Sequence, residues 1–384
     1  MPAPLSAKSV ASLNRWSVVL IVISLLSLGY LAHNAAHNMQ IRGIHSGFGF
    51  LWESAGFDIG ESIFSFDSAD PYWVAITVGL SNTLRVALLG IVLSTVLGVM
   101  IGVGRFSPNK LLRALCRLYV DAMRNVPLLL QLLMWYWIIT QTLPLPEEAW
   151  HMSGGFYLSK AGFNFPIPVW ENGYLWALIG CGLGLFAGLC WRAYPGSPFH
   201  KTGSTPSLLW PLLVLIPAGT LLGWLLGGAP HEAQFPHPGV FTIEGGGALT
   251  PEFLAILFAL TFYTAGFIAE VVRAGIQSVE RGQWEAAQCL GLNRIKVIRL
   301  IILPQALRVM IPPLTNQYLN LTKNSSLAVA IGYPDLVSIL NTSINQTGRA
   351  IECVALIMAC YLALSLALAS FMHWVARPLK QSAH

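Results

Sequence analysis

Charge is what this 384-residue chain has least of. Asp, Glu, Lys and Arg together make up 10% of it, where an ordinary soluble domain carries about a quarter. Hydrophobic residues make up 55%, and the mean hydropathy is +0.61. That balance excludes a water-soluble globule and describes a polytopic membrane protein. Other absences narrow the chemistry. The cysteines Cys116, Cys181, Cys190, Cys289, Cys353 and Cys360 are scattered without a CxxC pair, so no metal ligand set or redox motif is expected and buried apolar thiols are the default. There is no HExxH, no GxSxG and no pair of intramembrane aspartates, which leaves a membrane-embedded enzyme without machinery. No GxxxxGK[ST] loop is present either, so the chain does not hydrolyse ATP itself. The internal repeats expected of a secondary transporter or channel for small polar solutes are also missing.

What is present is a set of apolar runs near the length of about 20 residues that spans a bilayer. They fall at 16–33, 82–104, 126–143, 174–191, 208–226, 252–275, 304–330 and 351–375. The expected fold is therefore all-α with about eight transmembrane helices. The first run continues as Leu31-Ala32-His33-Asn34 without a small-x-small exit, and is expected to stay as an anchor. His33 and His37 share a helical face, but nothing supplies further metal ligands.

Orientation follows from the basic residues. Lys8 and Arg15 precede the first run, and Arg105, Lys110, Arg113, Arg117 and Arg124 lie between the second and third. Arg192 and Lys201 separate the fourth and fifth, Arg273 to Arg299 the sixth and seventh, and Arg377 and Lys380 close the chain. The alternate loops hold Arg42, Lys160, Lys323 and Arg349 against many acids, among them Glu53, Glu61, Glu147, Glu232 and Asp335. Both termini are expected in the cytoplasm. The net charge of +5 thus reports topology and implies no nucleic acid.

Four segments are expected: an anchor and outer loop (1–72), a first core part (73–143), an insertion carrying two extra spans (144–246) and a second core part (247–384). Small residues recur every four positions as Gly90, Ser94, Gly98 and Gly102, as Gly180, Gly184 and Gly188, and as Gly219, Gly223 and Gly227. Such rows let membrane helices approach closely. For the first row the contact can lie within the chain or across a subunit interface.

The most specific stretch lies between the sixth and seventh runs. Residues 277–290 have helix-forming composition, and Gly291 is placed to end that helix in the left-handed conformation. Asn293 is a cap for a second short helix, Arg294 to Ile302, and Pro304 suits the first turn of the next span. Glu285, Ala286, Ala287, Gly291, Ile301, Leu303 and Pro304 follow the spacing EAA-x3-G-x9-I-x-LP. This resembles the cytoplasmic signature loop of ABC importer permeases. Arg124-Asn125-x-Pro127-Leu128-Leu129-Leu130-Gln131, Gly282-Gln283-x-Glu285 and Lys323-Asn324-Ser325-Ser326-Leu327 extend the likeness to the polar amino-acid (histidine/glutamine-type) subfamily. The anchor, the loop 34–72 and the insertion depart from its ordinary form and look like the enlarged permeases of general L-amino-acid importers.

The resemblance implies a type I importer core in a bacterial inner membrane, working by alternating access. It implies a partner ABC ATPase dimer that binds ATP and Mg, a second permease forming a heterodimer, and a periplasmic amino-acid-binding protein. It assigns ATPase coupling to Gln283, Glu285, Ala286, Ala287, Gly291, Leu303 and Pro304, with no cofactor in this chain.

The seventh run is expected to break at Pro312-Pro313. Beyond it, Asn316, Asn320 and Lys323 share a helical face, with Gln317 beside them. Two readings fit: a lining of the substrate path, because polar groups in lipid usually face a pathway, or hydrogen bonds between helices. Glu270 and Arg273, at i and i+3, are expected to pair at a membrane boundary. Arg308 is expected to reach the inner interface, and Arg85 the outer one unless it meets a carboxylate.

Overall fold

The computed structural model describes residues 7–41, 47–193, 209–239 and 242–381. Arg42 and Lys201, two of the charges used for orientation, lie outside these residues, as do the side chains of Lys8, Arg15, Arg192 and Lys380. The helices in order are α1 (Ala7–Ile41), α2 (Tyr72–Gly104), α3 (Lys110–Asn125), α4 (Leu128–Thr142), α5 (Gly173–Ala193), α6 (Leu209–Leu226), α7 (Pro251–Gln277), α8 (Arg281–Cys289), α9 (Arg294–Val297), α10 (Leu303–Asn324), α11 (Leu336–Thr347) and α12 (Ala350–Gln381). Within the described residues, each of the eight apolar runs lies mostly on helix.

Among the described residues, five stretches are long and apolar enough to cross a bilayer alone: Tyr72–Gly104, Gly173–Trp191, Pro251–Gln277, Arg294–Ile331 and Ala350–Arg377. A sixth is the pair α3 and α4, bent by 105°. The apolar parts of α1 and α6, Trp16–Leu31 and Leu212–Leu226, are shorter, and the expected count of eight rests on them. The chain divides into two compact units, Met1–Tyr136 with Ala255–His384, and Trp137–Leu254.

In the first unit, the basic stretch after α2 is itself a helix. Asn109 starts α3 by accepting from the Leu111 and Leu112 amides at 2.9 and 3.3 Å. Pro127 stops it, forcing Val126 into extended backbone (φ −92, ψ 126), as the residue before a proline requires. Gln131 then donates from Nε2 to the carbonyls of Met123 and Val126, each at 3.0 Å, closing the end of α3. This gives the Arg-Asn-x-Pro-x3-Gln string a structural reason.

The small-residue row of α2 packs inside the chain, which decides the question the sequence left open. A Cβ on Gly98 would lie 2.7 Å from Ile268 and 3.0 Å from the Ala265 carbonyl, and one on Gly102 would lie 2.8 Å from Val272. Both contacts are with α7. Gly90 faces Leu321 of α10 at 3.3 Å.

Residues 47–72 fold onto the ends of α2, α11 and α12. Phe50, Ala55 and Tyr72 are buried against Leu336, Ile339, Leu340 and Cys353. The Gly47 amide donates to Glu352 at 2.6 Å, and Arg349 donates back to the Gly47 carbonyl at 2.5 Å. Glu61, one of the acids of the alternate loops, is buried and pairs with Arg85 at 2.5 Å. The structure thus selects the carboxylate alternative for Arg85. Asp335 is likewise buried and caps α11 by accepting from the Ser338 amide at 2.8 Å. Burial pushes its carboxyl up to about 7.

In the second unit, short strands join the helices expected there. These are β1 (Trp150–Met152), β2 (Phe156–Ser159), β3 (Gly162–Phe165), β4 (Ile167–Pro168), β5 (Ala233–Gln234), β6 (His237–Pro238), β7 (Ile243–Glu244) and β8 (Gly247–Leu249). An antiparallel sheet runs β1-β2-β3-β8, while β4 pairs with β5 and β6 with β7. Strands of two to four residues are too short for an alternation of apolar and polar positions to be read. Between β4 and β5 in the chain, α5 and α6 form a hairpin zipped by glycine. A Cβ on Gly180 would lie 2.0 Å from the Gly219 carbonyl oxygen, one on Gly184 2.2 Å from that of Leu215, and one on Gly223 2.1 Å from that of Trp176.

Candidate functional site

The loop between α7 and α10 folds into an elbow. α8 ends in a Schellman motif: the Leu292 amide donates to the Ala287 carbonyl at 3.2 Å and the Gly291 amide to Gln288 at 2.9 Å. That geometry needs a left-handed residue four positions after Ala287, and Gly291 has φ +68. The EAA-x3-G spacing is therefore a consequence of how the helix stops. Asn293 caps the next arm, accepting from the Lys296 amide at 2.9 Å. This arm is not the separate helix expected from sequence. α9 passes through a π turn (Ile298–Ile302) straight into α10, with Pro304 in its first turn. The second arm of the elbow is thus continuous with a membrane helix.

The elbow has an inner and an outer face. Ala287, Val279, Val297 and Ile302 are buried together with Ala306 and Met310 of α10. Glu285, Ala286 and Gln283 are exposed, and Leu290 and Ile295 are each 76% exposed on either side of Gly291. Gln283 also accepts from Gln305 Nε2 at 3.4 Å. Of the predicted coupling residues, Ala287 and Gly291 shape the elbow, Leu303 and Pro304 start α10, and Glu285 and Ala286 face outward. Leu290 and Ile295 escaped sequence reading, because exposed apolar residues beside a membrane segment look like part of it.

Just before the elbow, Glu270 and Arg273 pair as expected, but a third residue joins them. Arg105, at the end of α2, donates to Glu270 Oε2 at 2.5 Å, while Arg273 donates through Nε and Nη2. The triad ties the ends of α2 and α7 together where α7 leads into the elbow. No local signal reveals a partner 165 positions away.

α10 runs unbroken from Leu303 to Asn324 with Pro312 and Pro313 inside it. The expected interruption is thus limited to two missing N–H donors, which neighbouring helices allow a membrane helix to tolerate. Asn316, Asn320 and Lys323 are all exposed on one face. Asn316 lines a cavity of about 500 Å³ with Arg308, Thr315 and His373 of α12. Gln317 departs from this group. It lines a second cavity, about 240 Å³, with Arg124, Phe267 and Glu270. Asn320 and Lys323 border neither of these two.

Comparison with known proteins identifies the family. Residues 94–381 match the family described as binding-protein-dependent transport system inner membrane component. The general L-amino acid transport system permease AapQ of Rhizobium johnstonii is 43% identical over 94% of this chain and 90% of its own length. The putative amino-acid ABC transporter permease YhdX of Escherichia coli K12 is 42% identical, covering 92% and 91%. Among solved structures, an amino acid ABC transporter crystallised with histidines aligns at 20% identity and TM-score 0.47, covering 80% of this chain and 95% of its own. With the match spanning most of the sequence, this multi-pass chain belongs to the family of binding-protein-dependent transport system inner-membrane components, the permease subunits of ABC transporters.

Proposed function

We propose that this chain is one permease subunit of an ATP-driven amino-acid importer that works by alternating access. The observation that carries the reading is the elbow, with its arms seated in the core and its apolar tips Leu290 and Ile295 presented outward. A partner ATPase dimer, holding ATP and Mg, moves α10 through it, and this chain needs no cofactor of its own. A second permease completes a heterodimer, and a periplasmic binding protein delivers substrate. The amino-acid class is supported by the names of the relatives AapQ and YhdX. It is supported too by that of BztB of Rhodobacter capsulatus, a glutamate/glutamine/aspartate/asparagine permease 38% identical over 94% of this chain.

Both termini and the elbow lie in the cytoplasm of a bacterium, with Asn341 outside. Reporter fusions check this: one at Gln283 reads as internal and one at Asn341 as external, and an external Gln283 refutes the coupling reading. The path follows the exposed face of α10. If Asn316 lines it, Asn316→Leu changes which amino acids compete for uptake while membrane abundance is kept. A lowered abundance with an unchanged competition profile would assign Asn316 to helix packing instead.

A further inference from the structure

α3 carries three different faces, and the core of its unit uses only one of them. Cys116 and Val120 are buried, and the Tyr119 hydroxyl donates to the Phe262 carbonyl of α7 at 2.7 Å. At steps of four, three and four residues, Leu111, Leu115, Leu118 and Ala122 form a second face. All four are exposed, Leu111 by 68% and Leu118 by 66%. The third face holds Lys110, Arg113, Arg117 and Arg124, and Asp121 is the one acid of the helix. Among the described residues, none of Lys110, Arg113 and Arg117 forms an ion pair.

The helix is also placed where lipid headgroups lie. Its middle packs on the end of α2, where a Cβ on Gly104 would be 2.8 Å from Cys116 Sγ. α3 and α4 are bent by 105° from one another, so they cannot both run along the bilayer normal. α4 has no charged residue and α3 has five, so α4 is the part suited to cross and α3 the part suited to lie across it. Beyond the bend, Leu129, Leu130 and Leu133 of α4 are exposed as well, so apolar surface continues from one helix to the next. Exposed apolar surface of this kind marks a membrane or a partner. A basic stripe beside it describes a helix that sinks its apolar face into the headgroup boundary. The anionic surface of the cytoplasmic leaflet attracts such cations.

We propose that α3 is an interfacial helix that holds acidic phospholipid of the cytoplasmic leaflet. Leu111, Leu115 and Leu118 lie among the acyl chains, and Lys110, Arg113 and Arg117 meet the headgroup phosphates. The inference goes beyond the importer reading and takes from it only the cytoplasmic side of the α2–α3 end. Long basic side chains can bury their stems along the apolar face while their heads stay at the phosphates, and a guanidinium matches two phosphate oxygens. Phosphatidylcholine offers the same phosphate with a cancelling ammonium, so the stripe selects net headgroup charge.

The test uses the complete complex of this chain with its partner permease and ATPase, in vesicles of equal parts phosphatidylglycerol and phosphatidylcholine. A photoreactive benzoylphenylalanine at Leu115 is irradiated, and the mass of the adduct identifies what covers this face. Phospholipid is expected, with phosphatidylglycerol preferred at least about five-fold, the effect of a single basic residue at an anionic surface. Combining Lys110→Gln, Arg113→Gln and Arg117→Gln is expected to bring the two lipids to equal capture. Combining Arg113→Lys and Arg117→Lys keeps the charge and so keeps the preference. If the triple variant does not assemble, Arg117→Gln alone should lower the preference by part of this amount. Adducts with the ATPase or the second permease would make the face a protein interface and overturn the proposal. Equal capture of both lipids by the wild-type stripe, or a preference unchanged by loss of the three charges, also overturns it. Each of these failures leaves the importer reading intact, whereas a reporter fusion at Lys110 that reads as external removes both.

Discussion

In cells carrying the whole transport complex, Gly291→Val is expected to lower amino-acid uptake by about ten-fold while the chain stays in the membrane at near wild-type abundance. The space around Gly291 is open, and a Cβ added there would meet nothing within 4 Å, so the effect comes from the backbone alone. An L-residue held left-handed costs about 1–2 kcal/mol, and a β-branched one is a stronger outlier. That penalty shifts the elbow away from its working geometry by a factor of about ten. Glu285→Lys is expected to act similarly by another route, reversing a charge on the exposed face of the elbow that is proposed to meet the ATPase. In the first variant the ATPase docks but transmits poorly; in the second it fails to co-purify. Wild-type uptake in both variants, with the ATPase still bound, would remove the coupling role from this loop.

The second large effect is expected in the α5–α6 hairpin, where two neighbouring glycines should behave oppositely. A Cβ on Gly180 lands 2.0 Å from the Gly219 carbonyl oxygen, whereas one on Gly182 meets nothing within 4 Å. A backbone oxygen cannot rotate out of the way, so Gly180→Val must separate the helices. Overpacking of this kind costs about 1–3 kcal/mol or more. Gly180→Val should therefore reduce the yield of folded protein and its thermal stability in detergent, and Gly182→Val should leave both near wild type. Equal behaviour of the two variants would mean that the hairpin does not pack through its glycine row.

These contrasts show which features the sequence made legible. The elbow could be read because its signals are local: helix-forming residues, a glycine at the cap position and an Asn cap all sit within one short stretch. The same holds for the glycine rows of α2, α5 and α6. Features that depend on tertiary proximity were not legible. Arg105 joins Glu270 only because α2 packs against α7, and Glu61 is buried only because residues 47–72 fold back to Arg85. The strands of the second unit are too short to carry a period. α10 misled in a different way. Two adjacent prolines suggested a break, yet the helix continues through them and spreads Asn316 and Gln317 to different cavities. Residues adjacent in sequence stand about 100° apart on a helix, so these two do not share one site.

The central claim is that this chain moves amino acids only when an external ATPase drives it through the elbow. Uptake of radiolabelled L-amino acids into proteoliposomes tests this most directly, with the chain reconstituted together with its partner permease, its ATPase and its binding protein. The account predicts uptake that requires ATP and the ATPase subunit and survives collapse of the proton and sodium gradients. Gradient-driven uptake by this chain in the absence of the ATPase would contradict it.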